Sequence, residues 1–553
     1  MLVQWSLGGK RLRITVLCVM SCVMLLGVAR GGEAPPVAKV EEQKLGPLHD
    51  NILLWRTTRD GQRLAYAAAV EGKVIVVLDG QPGPAYDAIA PGTLRFSPDG
   101  KRLGYIAAKG KKQLAVIDGQ AGPEFDGILE RHPFFSPNGA HVAYAGHRGG
   151  KWTVVLDGQP GPEFDAILAD NPVFSPDGTR VAYAAKRGDK WSVIVGGQAG
   201  PEFDAIQAGA PFFSPDGTRL AYGAQSGAKW VVVVDGQAGP PVDAILPGSP
   251  LFSPDGKHLA YAAQLGKKHV VFLDGRAGPE MDALAEGSPT FSPDSARLAW
   301  GGRVGEKHHL FLDGQPGPPF DALGRGDPVF SPDSTRVAYS AKKGQKWAVI
   351  LDGKAGPDFD AIMDRTPVFS PDSRRVAYGA RRGEKWLMVV DGQPGPPWDG
   401  LKSRTPVFSP DGKRLAYGAR KGDAWLVVAD GQPGPEFGGI GEGTVAFSPD
   451  GSRLLYVAGR ATRKFVVVDG QTGPEFDDIA PPAFSPDGRH VACRAKRGDA
   501  KASQSFIVLD GQAGPAYDGI IPNGPAWRPD GSVEYLAHRA KVLYRVRQTP
   551  PGK

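Results

Sequence analysis

Short runs of apolar residues return along this chain at a nearly constant interval, separated by turns rich in Gly, Pro and Asp. One phenylalanine marks the register, and it recurs every 39 residues at positions 96, 135, 174, 213, 252, 291, 330, 369, 408 and 447. Phe484 and Trp527 continue the series after 37 and 43 residues, and a degenerate copy at 57–61 precedes it. The pattern predicts thirteen copies of one structural unit.

Each unit reads as four short strands and no helix. In one copy the strands are expected at 172–175, 180–185, 191–195 and 202–204. The tetrapeptide Ser175-Pro176-Asp177-Gly178 suits a tight reversal after the first strand, because Pro presets φ and Gly accepts a positive φ. Runs such as 231–234 are apolar at every position instead of alternating, so both faces of each small sheet must be covered. No segment sustains a helical period.

Blades stacked face to face around an axis give that cover, so we predict an all-β β-propeller with about thirteen four-stranded blades. Propellers typically have about four to eight blades, which favours two tandem rings, at 45–290 (blades 1–6) and 291–547 (blades 7–13). One large ring and an incomplete array are the alternatives. Ser replaces the turn Gly in three adjacent copies, a hint that a duplicated block begins near 291; these residues are Ser295, Ser334 and Ser373.

The last copy lacks a fourth strand, and the segment 46–51 resembles the missing one. We therefore expect the two ends of the chain to complete one blade together.

The repeated block F-S-P-D-G-x-R-(L/V)-A-Y, followed by K-W-x-V and then D-G, resembles the WD-repeat-like propeller repeat of TolB-type periplasmic proteins. The resemblance extends over roughly residues 45–547 and is specific because the block recurs a dozen times. It implies the fold and an exported compartment. It does not imply one function, since such propellers serve as docking platforms, lids on hydrolases and ligand sites.

The first 29 residues read as a signal peptide, with Lys10, Arg11 and Arg13 ahead of an apolar run at 14–26. An uncleaved anchor is the alternative. Residues 30–44 read as a flexible lead-in and 548–553 as a tail. We expect a periplasmic or extracellular protein with no membrane span after cleavage. Cleavage would leave Cys493 as the sole cysteine, so no internal disulfide is expected.

Composition narrows the function classes. Gly (76 residues) and Pro (51 residues) are abundant, but 41% of residues are hydrophobic and lie in regular runs, which argues against disorder for most of the chain. The net charge of +6 falls to +3 without the three basic residues of 1–29, too small a bias to indicate nucleic acid. We expect a monomer.

Enzyme signatures are not found. The chain has no G-x-S-x-G elbow, and the repeated Ser-Pro-Asp-Gly block cannot supply the unique residues that a catalytic site needs. Repeated aspartates such as Asp157 and Asp165 invite a calcium interpretation, but each stands alone in its loop, so we interpret them as turn-stabilising. No catalytic residue, metal ligand or cofactor is predicted.

The repeats differ most in the connection from the fourth strand of one unit to the first strand of the next. Variable loops on a rigid scaffold are typical of binding surfaces, although drift in unconstrained loops is the alternative. The candidate binding residues are Glu130, Arg131, His132, Asp170, Asn171, Glu286, Arg325, Asp327, Asp364, Arg365, Lys402, Arg404 and Glu442.

Hairpins between the second and third strands are basic, for example 186–191 and 381–386, and are expected on the same face of the propeller. They could attract an anionic partner or could simply be solvated. We expect an exported, non-catalytic scaffold that binds a protein, peptide or envelope polymer through this loop face. A propeller enzyme acting at the channel mouth and a structural cell-surface repeat protein are the alternatives.

Overall fold

A computed structural model describes residues 38–131, 133–285, 289–326, 328–498 and 503–550. These residues form thirteen antiparallel sheets and contain no helix. Each sheet is one blade, numbered here in chain order from blade 1 (52–86) to blade 13 (519–549). The predicted all-β propeller is confirmed. The signal peptide predicted at 1–29 lies outside the described residues.

The second and third strands of each blade form its centre, joined by a tight turn. The second strands are Leu64–Val70, Leu103–Lys109, Val142–Arg148, Val181–Arg187, Leu220–Ser226, Leu259–Leu265, Leu298–Val304, Val337–Lys343, Val376–Arg382, Leu415–Lys421, Leu454–Arg460, Val491–Arg497 and Val533–Arg539. The third strands are Lys73–Leu78, Lys112–Ile117, Lys151–Leu156, Lys190–Val195, Lys229–Val234, Lys268–Leu273, Lys307–Leu312, Lys346–Leu351, Lys385–Val390, Ala424–Ala429, Arg463–Val468, Gln504–Leu509 and Val542–Thr549.

The outer strand begins earlier than the sequence pattern indicates. Its composition, as in Gln159–Phe164 (QPGPEF), reads as a loop, yet it pairs with the third strand. Pro is tolerated there because this strand is the edge of the sheet. The outer strands are Gln81–Tyr86, Gln120–Phe125, Gln159–Phe164, Gln198–Phe203, Gln237–Ala238, Arg276–Met281, Gln315–Pro316, Lys354–Ala355, Gln393–Trp398, Gln432–Pro433, Gln471–Thr472, Gln512–Ala513 and, for blade 13, Lys39–Pro47.

The inner strand is continuous in blade 1, at Ile52–Thr57, and is split into two segments in every other blade. Both segments pair with the same edge of the second strand. The first segments are Ala88–Ile89, Gly127–Ile128, Ala166–Ile167, Ala205–Ile206, Ala244–Ile245, Ala283–Leu284, Ala322–Leu323, Ala361–Ile362, Gly400–Leu401, Gly439–Ile440, Asp478–Ile479 and Gly519–Ile520. The second segments are Arg95–Phe96, Phe134–Phe135, Val173–Phe174, Phe212–Phe213, Leu251–Phe252, Thr290–Phe291, Val329–Phe330, Val368–Phe369, Val407–Phe408, Ala446–Phe447, Ala483–Phe484 and Ala526–Trp527.

The hydrophobic core lies between blades and not within them. The first five residues of Val181–Arg187 are all buried, because side chains on both faces of this strand meet a neighbouring blade. Tyr183 packs edge-on against Phe164 of the preceding blade, with ring centroids 5.9 Å apart and planes at 76°. Offset and edge-on aromatic pairs contribute about 0.5–1.5 kcal/mol beyond the area they bury. The stacking inferred from the doubly apolar strands is therefore observed directly.

Inner strands of adjacent blades also touch one another. Phe212 and Phe252 have ring centroids 5.8 Å apart, whereas the outer strand Gln198–Phe203 is exposed at all but its last residue. Blades thus converge at their inner strands and splay at their outer strands. The inner strands face the axis of the ring.

The thirteen blades form one ring, and the expected division into rings of six and seven blades is not what the structure shows. At the proposed boundary, Val271 and Met281 of blade 6 pack with Leu298 and Trp300 of blade 7 in one buried cluster. This packing is the same as that at other interfaces, so residues 45–290 and 291–547 do not separate into two closed units.

The ring is closed by the two ends of the chain, as expected. Strand Lys39–Pro47 pairs antiparallel with Val542–Thr549 and becomes the outer strand of blade 13. Residues 39–44, which were assigned to a flexible lead-in, therefore belong to this strand. Blade 13 then packs on blade 1, where Leu536 and Leu543 lie in one buried cluster with Tyr66.

The three serines that suggested a duplicated block have a local role. Ser295 adopts a left-handed conformation with φ of 67°, as its glycine counterparts do. Its Oγ accepts a hydrogen bond of 2.9 Å from the backbone N–H of Asp255 in the preceding blade. Ser334 and Ser373 make the same contact to Asp294 and Asp333. These residues link neighbouring blades and do not mark a ring boundary.

An aspartate at the crossing from each outer strand to the next blade joins two blades. Asp204 Oδ1 accepts from Lys190 Nζ of its own blade at 2.6 Å, and its Oδ2 accepts from the backbone N–H of Gly227 in the next blade at 2.6 Å. Both bonds lower the pKa of Asp204 below its ordinary value of 3.8, and the bond from Lys190 has the larger effect. Twelve of the thirteen crossings carry this Asp. The crossing that closes the ring has it too, since Lys541 Nζ lies 2.7 Å from Asp50.

The crossing between blades 10 and 11 departs from this arrangement at all three positions. Gly438 replaces the Asp, Ala424 replaces the Lys, and Ala461 replaces the Gly of the turn. A Cβ on Gly438 would lie 4.0 Å from the backbone nitrogen of Ala461. The backbone therefore keeps the geometry of the other crossings, and the carboxylate that would accept the hydrogen bond is missing. Both charged partners are therefore missing from this crossing.

We predict that the double variant A424K/G438D restores the link and raises the urea midpoint of unfolding, whereas G438D alone raises it less. The reverse change at the intact crossing between blades 4 and 5, K190A/D204G, should lower the midpoint. A depressed folded-state pKa contributes stability that is full above the ordinary pKa of 3.8 and is lost at lower pH. The difference between wild type and K190A/D204G should therefore shrink as the pH falls below about 4. Equal midpoints for all variants at pH 7 would contradict this role.

Candidate functional site

The variable residues do not lie in the connection between blades. That connection is the tight crossing at Asp165 or Asp204, and the chain has already paired with the next blade before the variable residues begin. They form loops that interrupt the inner strands, and we call these the inner loops. The inner loops span 90–94, 129–133, 168–172, 207–211, 246–250, 285–289, 324–328, 363–367, 402–406, 441–445, 480–482 and 521–525, of which residues 132, 286–288 and 327 are outside the described ranges. They therefore face the central channel instead of one rim of the ring.

The fourth position of the inner loop is structural. Where the inner strand leaves the second strand, a backbone N–H of the second strand loses its partner, and a side chain replaces it. Thr93 Oγ1 accepts from Ile106 N–H at 3.1 Å, and Ser249 Oγ accepts from Ala262 N–H at 2.8 Å. An unsatisfied buried donor costs about 1–3 kcal/mol, so a polar residue at this position stabilises the blades that have one.

Asn171, one of the predicted binding residues, occupies this fourth position and is 1% exposed. Its Oδ1 accepts from Ala184 N–H at 3.0 Å, and its Nδ2 donates to the carbonyl of Ala210 in the next blade at 3.1 Å. Asn171 thus links two blades and offers no free group to a ligand. His132 and Asp327 are at the equivalent position, and with Glu286 they lie outside the described residues.

The second and third positions form the exposed tips of the inner loops, and the charged first residue of one loop, Lys402, is grouped with them. The third position has a left-handed backbone, and Gly fills it in several blades, for example Gly209 and Gly248 with φ of 79° in both. Elsewhere a larger residue adopts the same conformation. Arg131, Asp170, Arg365, Arg404 and Asn523 have φ of 66°, 63°, 60°, 59° and 74°. Left-handed backbone costs a non-glycine residue about 1–2 kcal/mol, and Arg is not among the residues that enter it readily.

The charged tips gather in two arcs of the ring. One arc, on blades 3 and 4, holds Glu130, Arg131 and Asp170. The other, on blades 8–11, holds Arg325, Asp364, Arg365, Lys402, Arg404 and Glu442. Between them, the tips of blades 5 and 6 are uncharged, at 208–209 and 247–248. The structure therefore brings together nine of the ten described candidates, in two groups.

Ion pairs connect neighbouring tips across blade boundaries. Arg131 lies 3.6 Å from Asp170, and Arg404 Nε lies 3.5 Å from Glu442 Oε1, with more than half of each side chain exposed. Exposed pairs of this kind contribute about 0–1 kcal/mol. These ion pairs orient the guanidinium groups but leave them exposed to solvent, so a ligand can reach them.

Arg365 and Arg404 line one cleft of about 740 Å³ between blades 9 and 10, with Asp364 and Glu442 at its edge. Its apolar wall includes Trp386. Nearby, Lys402 Nζ lies over the ring of Trp425, 5.0 Å from the centroid. The cleft combines cationic groups with aromatic surface, a combination suited to an anionic ligand with an apolar part.

Two arginines of the channel were missed by the sequence reading. Arg56 of blade 1 and Arg95 of blade 2 stand where most other copies have an apolar residue. Burial is the main cause that lowers the pKa of Arg95, and the nearby guanidinium groups of Arg56 and Arg131 lower it further. Trp55 beside them is 40% exposed. A comparison of the copies at this inner-strand position, instead of in the loops alone, would have found them.

The basic hairpins are less available than the sequence suggests. Lys190 binds the crossing Asp204, and Lys385 pairs in the same way with Asp399. Arg187 lies over the ring of Phe164 in the preceding blade, 5.2 Å from the centroid. These side chains stabilise blade stacking, in agreement with the interpretation that the repeated aspartates hold turns and crossings.

The Ser-Pro-Asp-Gly turns are likewise structural. Ser175 Oγ donates to Asp177 and accepts from Arg180 N–H at 3.0 Å. The hydrogen bond from Ser175 is the largest of the causes that lower the pKa of Asp177 to about 2. Across the described ranges, no group of three or more His, Cys, Asp or Glu side chains could hold a metal ion. Nor does a helix suited to crossing a membrane occur in them.

No protein-family model matches the chain, and no curated protein matches it. Solved structures to which it is similar include a eukaryotic initiation factor, with 15% identity over 61% of this chain and 96% of that chain and a TM-score of 0.30. Another is the β-propeller domain of Myceliophteria thermophila Cps50 (Swd1), with 13% identity over 48% and 96% and a TM-score of 0.21. A third is TolB from Acinetobacter baumannii, with 17% identity over 46% and 78% and a TM-score of 0.20. The propeller fold of this chain rests on its own strand pairing, and membership of the TolB type stays a prediction.

Asp170 and Asn171 are adjacent in one inner loop, and substitutions at the two positions should distinguish a surface role from a structural one. We predict that N171A lowers the free energy of unfolding by about 1–3 kcal/mol, because Ala184 N–H loses its buried acceptor. D170G should change it by only about 0.5 kcal/mol or less, since Asp170 is exposed and Gly suits its left-handed backbone. Urea denaturation followed by intrinsic fluorescence measures both. A destabilised D170G with an unaffected N171A would contradict these assignments.

Proposed function

We propose that the protein is an exported, non-catalytic scaffold that binds an anionic protein, peptide or envelope polymer through the inner loops of its channel. The observation that carries the proposal is the presence of Arg131, Arg365 and Arg404 at a left-handed position that Gly fills in other blades. Each arginine is retained against a backbone cost of about 1–2 kcal/mol. Strained positions kept at a surface are typical of sites under functional selection.

The charge and position of these residues support an anionic partner. Arginine binds carboxylate and phosphate groups through two parallel hydrogen bonds. The arc on blades 8–11 has four basic and two acidic tip residues, and two of its arginines share one cleft. Multiple blades present these side chains toward a common channel, so an extended partner could contact several at once.

Two observations support a binding role instead of an enzymatic one. Two of the carboxylates at the tips, Asp170 and Glu442, pair with neighbouring arginines, and the chain has no nucleophile-elbow motif. Export is supported by the basic and apolar character of residues 1–29.

The test removes the three arginines without straining the fold. In R131G/R365G/R404G each Gly enters a backbone conformation that it prefers, so the urea midpoint should stay equal or rise. Exposed ion pairs contribute about 0.2–1 kcal/mol each, so partner binding should weaken roughly tenfold. The matched control is K101A/K257A/K413A, which removes three charges from turns outside the channel, where each side chain is at least 77% exposed.

Binding is measured by quantitative recovery of partners from a cell-envelope extract on immobilised wild-type, triple-arginine and control proteins, at low and moderate salt. We expect the same partners on wild type and control, a selective loss on the arginine variant, and weaker recovery at higher salt. Equal recovery on all three proteins would overturn the assignment of the channel as the binding surface.

A further inference from the structure

The interface between blades 11 and 12 lacks the aromatic side chain that fills every other interface. The third residue of the second strand is Tyr in eleven blades and Trp300 in blade 7, but it is Cys493 in blade 12. At eight of the other interfaces this ring lies edge-on against an aromatic residue from the end of the preceding blade, as Tyr378 does against Phe359, with centroids 6.2 Å apart and planes at 79°. Phe476, the corresponding residue here, contacts the ring of Phe506, with centroids 6.3 Å apart, and the guanidinium of Arg497, but no ring lies at the position of Cys493.

A cavity of about 430 Å³ occupies this interface. Corresponding grooves of about 340 Å³ and 370 Å³ lie between blades 3 and 4 and between blades 6 and 7, where Tyr183 and Trp300 form the floor. The cavity at Cys493 reaches deeper, to Phe476, Ile479 and Val508. The equivalents of these three residues in blades 3 and 4 are packed beneath Tyr183 and do not line the groove. The cavity therefore extends toward the position that a tyrosine ring occupies elsewhere.

The walls of the cavity are apolar, and its mouth is polar. Phe476 is 1% exposed and Cys493 is 2% exposed. Burial raises the pKa of the Cys493 thiol to about 12, so the thiol is a neutral part of the wall and reacts only slowly with electrophiles. At the mouth, Arg453 Nε pairs with Asp469 at 2.9 Å, and the side chain of Arg489 is 78% exposed.

We propose that this cavity is a binding site for a small monocyclic aromatic molecule of the phenol class. The ring would take the place of the absent tyrosine, with its edge or face against Phe476, and its polar substituent would point to the mouth near Arg489. Apolar cavities in proteins accept aromatic molecules of matching shape, and ligand pockets are typically apolar with a few polar groups at defined places. The site is separate from the inner loops, so the two proposals stand independently.

The test uses p-cresol, the side-chain analogue of tyrosine, titrated into the protein by isothermal calorimetry. We expect one site per chain in wild type and no binding to C493Y, because the new side chain fills the cavity. The matched variant Y456C removes the corresponding tyrosine between blades 10 and 11, where Tyr456 packs against Phe437. It should bind a second p-cresol molecule.

A measurement on the unaltered protein keeps the proposal testable if a variant fails to fold. N-ethylmaleimide modification of Cys493, followed by mass spectrometry of the peptide that contains it, should slow as p-cresol is added. A modification rate that is independent of p-cresol, no calorimetric binding to wild type, or equal binding to wild type and C493Y would each overturn the proposal.

Discussion

Strands that are apolar on both faces must be covered on both sides, and this constraint organises the molecule. Val181–Arg187 is buried at five consecutive positions although it belongs to a sheet of only one layer. Its cover comes from two neighbouring blades, through contacts such as the edge-on pair of Tyr183 and Phe164. An array built in this way leaves two uncovered blades unless its ends meet. The pairing of Lys39–Pro47 with Val542–Thr549, and the packing of blade 13 on blade 1, remove those ends.

The same constraint divides the residues of a repeat into those that hold blades together and those that are free to differ. The crossing aspartates, the turn serines and polar fourth residues of inner loops, such as Thr93, Asn171 and Ser249, belong to the first group. Asn171 and Asp170 show how sharp the division is, since one is buried between two blades and its neighbour is exposed in the channel. Two kinds of departure from the repeat are informative. Arg365 adopts a left-handed backbone conformation that costs a non-glycine residue free energy. Cys493 is smaller than the aromatic residue at this position in other blades and lies beside a cavity.

Much of the fold could be predicted from the sequence, because a constant period and doubly apolar strands leave few arrangements. The second and third strands were found nearly in place, and the closure by the two termini was expected. The beginning of the outer strand was missed because Gln-Pro-Gly-Pro reads as a loop, and an edge strand is where such residues are tolerated. The interruption of the inner strand was missed because its two-residue segments, such as Ala166–Ile167, are too short to show a period.

The number of rings could not be read from the repeat, because it depends on small angles between blades that no single residue sets. The general expectation of about four to eight blades per propeller pointed to two rings. The candidate site was predicted in part. Sequence variation located the inner loops, but it could not distinguish Asn171, whose amide replaces a backbone partner, from the exposed arginines. It also overlooked Arg56 and Arg95, which lie in strands.

The central claim is that thirteen blades form one continuous ring closed by the chain termini. Electron cryo-microscopy of the purified protein, with classification of views along the ring axis, tests it most directly. The account predicts a single annulus with thirteen blades and an open centre. Two adjacent smaller rings, or an open arc with a gap between blade 13 and blade 1, would contradict it.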